Sequence, residues 1–230
     1  MHWNFIQPIT LAKSHSTRGV YFRAPLHSSL FKESSFYSLV TMAYEVYYWG
    51  ACEKFYGRAL SVLLILEETG TKYVIKDQAH KPEGTFALPA IKTSSGVVVS
   101  QSAAICHVLG HELNLAPTDA AADAKALQIC CDAIDFITEA TKPDFATERK
   151  QKWLTHFASV TSVDAPVNYG DFLLFTALEL AISAFTAAID ESEYPAGLGK
   201  WWNKMLATKA VTALKGKGRQ LMPGEANKAW

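Results

Sequence analysis

The sequence carries no excess of either charge, and its cysteines show no metal-binding spacing. Lys+Arg and Asp+Glu both number 22, so the formal net charge is zero. The basic surplus typical of a nucleic-acid binder is therefore missing. No apolar run approaches the ~20 residues that a membrane-spanning helix needs; the stretch Leu60–Leu66 is already interrupted by Ser61. The cysteines are Cys52, Cys106, Cys130 and Cys131, and no C-x-x-C pair occurs among them. That removes the usual zinc spacing, and no metal is expected. Cys130 and Cys131 fall on a helical stretch and point in different directions. Those two and Cys106 read as small buried hydrophobes. Such usage fits a reducing compartment, and a cytoplasmic protein is expected. No internal repeat or long low-complexity tract is present.

The 49% hydrophobic and 19% charged residues over 230 positions describe a globular chain with a substantial core. Residues 1–41 differ from the rest. They are rich in Ser and hold Lys13, Arg18, Arg23 and Lys32 against a single acid, Glu33. Scarce acids with Arg and Ser suit an organelle transit peptide; an untargeted extension, with Met42 as an alternative start, fits equally. A plastid or mitochondrial location is the alternative to the cytoplasm.

From Tyr44 the punctuation becomes regular. Glu45–Trp49 is β-prone. Gly57–Glu68 is helical and apolar on nearly every face, which predicts a buried helix ending at Gly70. Lys72–Lys76, Ala87–Lys92 and Val97–Val99 predict three more strands, with a polar loop over Asp77–Thr85 and a turn at Thr93–Gly96. Ser100, Gln101 and Ser102 offer caps for a helix running to about Gly110. Two strands joined by a helix imply a parallel pair, and the hairpin adds antiparallel partners. After Pro117 only helical patterns follow: Ala120–Ala140, Phe145–Ser159, Tyr169–Ile189 and Leu198–Leu214. Asn168 and Asp171 read as a capping box that starts a buried helix.

In this order the signals resemble the glutathione S-transferase family. Tyr48-Trp49 before Gly57-Arg58, the Leu88-Pro89 loop, Gln101-Ser102 opening a helix, and the Asp171 capping box before Phe172-Leu173-Leu174-Phe175 carry the resemblance. The segment from Tyr194 is similar to the family's closing helix, and the tyrosine-type, sigma-like branch looks nearest. The resemblance implies an α+β thioredoxin-like domain over residues 42–114 that holds glutathione. An all-α domain over residues 118–230 would follow it. It also implies a homodimer active in detoxification, joining glutathione to small hydrophobic electrophiles.

The resemblance assigns Tyr48 to the sulfur of glutathione. Strand side chains alternate, so Tyr47 and Tyr48 face opposite ways; Tyr47 then reads as a core aromatic. Trp49, Arg58, Lys81, Leu88, Pro89, Gln101 and Ser102 would hold the peptide. Ser102 at a helix N-terminus suits the γ-glutamyl carboxylate. Pro89, if cis, leaves Leu88 free to pair like an added strand. Lys81 could meet the glycyl carboxylate. The loop from Gly50 to Tyr56 is longer than the family's usual connection. It brings Cys52 near the place where cysteine-type relatives carry a nucleophile, so a thiol oxidoreductase stays open. A ligand-binding module without turnover is the third reading.

Overall fold

The computed structural model describes residues 43–146, 149–183 and 186–224, and these fall within one compact unit. The segment read as an extension or transit peptide lies outside the described residues. Strand β1 (Tyr44–Tyr48) is flanked on both sides. It pairs in parallel with β2 (Tyr73–Asp77) and antiparallel with β3 (Ala90–Lys92). β3 in turn pairs antiparallel with β4 (Val98–Ser100), giving the order β2-β1-β3-β4. Strand β3 starts three residues later than the sequence suggests, because the Leu88-Pro89 bond is cis and precedes the ladder.

The β1–β2 crossover passes through 3-10 turns at Trp49–Cys52 and Gly57–Ala59 and continues as helix α1 (Leu60–Thr69). Every residue from Leu60 to Leu66 is buried. This is what an all-round apolar pattern requires. Gly70, at φ 68°, closes the helix in the left-handed conformation. Helix α2 (Ser102–Glu112) follows β4. Tyr44, Val46, Tyr48 and Ile91 join the hydrophobic core that α1 and α2 complete.

Five further helices follow: α3 (Ala120–Ala140), α4 (Arg149–Val160), α5 (Tyr169–Ile182), α6 (Ala196–Leu206) and α7 (Lys209–Gly216). α5 is buried on nearly every side. Its capping box is complete. Asn168 Oδ1 accepts from the Gly170 amide at 2.8 Å, and Asp171 Oδ2 accepts from the Asn168 amide at 2.9 Å. Asp171 also accepts from the Trp201 indole at 2.9 Å, tying α5 to α6.

Several expectations need correction. Residue 145 lies in a turn before α4, and α5 stops at Ile182 because Ser183 turns to ψ 150°. The closing stretch is two helices, since Thr208 takes an extended conformation and caps α7 through the Val211 amide. Cys106 and Cys130 are buried, but Cys131 is exposed: one step along α3 rotates it off the core-facing stripe. Among the described residues no helix is long and apolar enough to cross a membrane.

Candidate active site

The sheet register collects the singled-out residues at one end. Tyr47 pairs with Ala90, and Ala90 pairs with Ser100. One residue further along each strand are Tyr48, Pro89 and Gln101. Tyr48 also pairs with Asp77 at the C-terminal end of β2. The carboxyl ends of parallel strands are where open α/β sheets form ligand crevices.

Tyr47 and Tyr48 do face opposite ways. Tyr47 is buried yet lies outside the hydrophobic core cluster. Its hydroxyl donates to Glu45, which pairs with Lys76 at 2.9 Å, and Lys76 sits 5.8 Å from the ring centroid. Tyr47 is buried as a core aromatic would be, but its hydroxyl and ring meet charged groups, Glu45 and Lys76. Burial and the Glu45 carboxylate push its phenol up to about 12.

Tyr48 is 3% exposed. Its oxygen accepts from the backbone amide of Arg58 at 3.0 Å, and among the described residues its own proton has no acceptor. Burial raises its pKa, so the phenol stays neutral and able to donate. The oxygen reaches the Arg58 amide because residue 57 is glycine. A Cβ there would lie 2.7 Å from the Tyr48 hydroxyl, and Gly57 itself sits at φ 53°.

A cleft of about 290 Å³ opens beside this phenol, lined by Tyr48, Trp49, Gly57, Arg58 and Leu88, together with Ile137, Thr141, Leu180 and Pro223. The last four escaped sequence reading. Ile137 belongs to the apolar stripe of α3, which reads only as core. Trp49 is 52% exposed at the rim. Pro89, Gln101, Ser102 and Lys81 do not line the cleft. Lys81 is exposed in the loop after β2.

Helix α2 begins at Ser102 itself. None of the three anticipated side chains caps it. Gln101 occupies the N-cap at φ 77°, a sparsely populated region for a non-glycine residue that costs ~1–3 kcal/mol. Ser102 is buried, and its hydroxyl has no hydrogen-bond partner among the described residues. The first-turn amides therefore lack a side-chain acceptor, and the helix end offers an anion a positive dipole and free donors.

The long loop after β1 is fastened from several sides. Gly50, Ala51 and Cys52 all have positive φ. The Gly50 amide donates to Gln78 Oε1 at 2.9 Å. The Tyr56 and Gly57 amides donate to the carbonyls of Gln220 and Leu221, each at 3.1 Å. This fastening turns Cys52 inward to 1% exposure. Burial pushes its thiol up to about 12, an effect the Arg219 charge offsets only in part. A buried, protonated thiol is a poor nucleophile. Tyr56 is fully buried, and its hydroxyl donates to the Leu214 carbonyl at 3.4 Å.

No protein-family model and no curated protein matches the chain. Solved structures do. Prostaglandin synthase D of Nilaparvata lugens is 16% identical, with a TM-score of 0.61 over 76% of this chain and 98% of that one. The Pi-class glutathione S-transferase of Onchocerca volvulus is 17% identical, with a TM-score of 0.61 over 76% and 93%. A glutathione transferase homolog from Sulfitobacter, solved with bound glutathione, is 15% identical, with a TM-score of 0.56 over 76% and 98%. At such identities likeness speaks for architecture. The chain has the glutathione S-transferase fold, a thioredoxin-like sheet domain joined to an all-helical one.

Proposed function

We propose that the protein is a glutathione transferase of the tyrosine-type, sigma-like branch. In this reading Tyr48 donates a hydrogen bond to the glutathione sulfur and holds it as thiolate for attack on a small hydrophobic electrophile. One observation carries the reading: a buried, neutral phenol at the cleft, its oxygen anchored on the Arg58 amide and its proton without an acceptor. A free thiol of pKa ~8.5 is only ~3% ionised at pH 7. Lowering it by ~2 units takes ~2.7 kcal/mol and ionises roughly three quarters. Nucleophilicity then falls ~10-fold at a Brønsted slope near 0.5, so ionisation alone yields ~2–3-fold. Placing sulfur and electrophile together supplies the larger part.

That assigns equal weight to the groups that hold the peptide. Ser102 and the free amides of α2 suit the γ-glutamyl carboxylate, with Gln101 beside them. Leu88 and Pro89 offer backbone to the peptide, Trp49 and Arg58 flank it, and Lys81 meets the far carboxylate. Ile137, Leu180 and Pro223 provide apolar surface for the electrophile. We place the protein in a homodimer: Phe86, 94% exposed beside the Leu88-Pro89 loop, carries an aromatic ring that a twofold partner would cover.

Retention on immobilised glutathione, followed by a conjugation assay on wild type and Cys52→Ser, tests the reading. Retention with turnover in both supports it. Retention without turnover leaves a binding module. A thiol-transfer activity lost in Cys52→Ser makes Cys52 the nucleophile, and absence of retention removes the glutathione assignment.

A further inference from the structure

We propose that His107, His111 and Asp123 form a binding site for one divalent transition-metal ion of the zinc class. The site joins helices α2 and α3, and the inference stands independently of the glutathione reading. The two histidines are four residues apart on α2, so they share one helix face. Asp123 reaches them from the first turn of α3. One ligand atom from each residue lies within 4.8 Å of the others, and among the described residues no other such triad occurs.

The arrangement is more than proximity. The two imidazole centroids are 4.5 Å apart. His111 Nε2 stands 3.1 Å from Asp123 Oδ2. The Tyr169 hydroxyl donates to the other carboxylate oxygen, Asp123 Oδ1, at 2.8 Å, and lies 3.3 Å from His107 Nδ1. Tyr169 is in turn fixed. A Cβ on Gly110 would sit 2.3 Å from its ring, so α2 presses its bare backbone against the tyrosine. The Tyr169 hydrogen bond holds the carboxylate through Oδ1 and turns Oδ2 toward His111 Nε2, itself a ligand atom of the triad; ligating carboxylates are oriented by such hydrogen bonds.

Two imidazoles and one carboxylate favour a borderline ion such as Zn²⁺ or Co²⁺ over Mg²⁺ or Ca²⁺, which prefer all-oxygen sites. With bonds of ~2.1 Å at a tetrahedral centre, ligand atoms sit about 3.4 Å apart. His111 is exposed and can swing to close that spacing, leaving a fourth position for water. The ion would clamp the C-terminal half of α2 to α3.

The test is a titration of the full-length chain, first stripped with chelator, using Co²⁺ by visible absorption and Zn²⁺ by calorimetry. We expect one equivalent bound, d–d bands of a nitrogen–oxygen site, and a Zn²⁺-dependent rise in Tm. His111→Ala and His107→Ala should each weaken binding at least ~10-fold, and His111→Ala should abolish the Tm rise. His111 is exposed, so that variant folds; apo melting curves check it. His156→Ala should change nothing. No binding by wild type at millimolar metal overturns the proposal. So does unchanged binding in both variants, which would move the ion to Cys131 or to His2, His15 or His27.

Discussion

Replacing Gly57 by alanine probes how the Tyr48 phenol is held. Two costs follow from the structure. Gly57 lies at φ 53°, where a Cβ costs roughly 1–2 kcal/mol. That Cβ would also stand 2.7 Å from the Tyr48 hydroxyl and 3.2 Å from the Phe55 ring. The phenol must move, and its bond from the Arg58 amide, worth ~1 kcal/mol, goes with it. The sum is about 2–3 kcal/mol. For a domain of this size that lowers Tm by about 5–10 °C. A displaced phenol loses part or all of its donor function, so conjugation should slow by up to ~2–3-fold at pH 7 and up to ~8-fold at pH 6, while glutathione affinity changes less than ~3-fold. Gly50→Ala is the matched control. Gly50 has φ 52°, and nothing lies within 4 Å of a Cβ there. It should show the backbone cost alone, with the rate nearly intact. Equal Tm and equal rates in the two variants would refute the claim that Gly57 makes room for Tyr48.

Ser102→Ala should raise the Kd for glutathione ~10–150-fold by removing a charge-assisted hydrogen bond worth ~1.5–3 kcal/mol; unchanged affinity in calorimetry would leave Ser102 a packing residue. Phe86→Glu should shift the protein toward monomer in light scattering, and a wild type that is monomeric at every concentration would remove the dimer. Glu179 is raised to about 7, chiefly by burial, so the native state binds more protons than the unfolded one between about pH 4.5 and 7. Stability should therefore fall as pH rises through that window. Glu179→Gln should abolish that slope and gain on the order of 2 kcal/mol above pH 7; denaturation curves at pH 5 and 8 measure it.

The fold was legible where local chemistry and tertiary context agree. The mostly apolar run from Leu60, the stop at Gly70 and the Asn168–Asp171 box each have one physical solution, and the chain adopts it. The turn at Thr208 was not legible, because its cap lies within a continuous amphipathic pattern. Cys131 was misread because adjacency to Cys130 says nothing about which residue meets the core. At the site, the order of Tyr48, Leu88-Pro89 and Gln101-Ser102 was readable. The residues facing Tyr48 from the helices were not, since Ile137 and Leu180 differ from core residues only in what packs opposite. The burial of Cys52 depends on Gln220 and Leu221, far along the chain. His107 and His111 show their spacing in sequence, but Asp123 joins them only through packing of α2 on α3.

The central claim is that Tyr48 sets the pKa of the glutathione thiol. The direct measurement is the ultraviolet titration of enzyme-bound thiolate in wild type and Tyr48→Phe, with conjugation rates across pH. Tyr48→Phe keeps the ring and removes only the donor. The bound thiol should move from ~6.5 back to ~8.5. With a Brønsted slope near 0.5, the variant should be ~2–3-fold slower at pH 7 and ~8-fold slower at pH 6. The two profiles should cross near pH ~7.5, above which the more basic thiolate is faster. A Tyr48→Phe protein with the wild-type titration and parallel rate profiles would contradict the account.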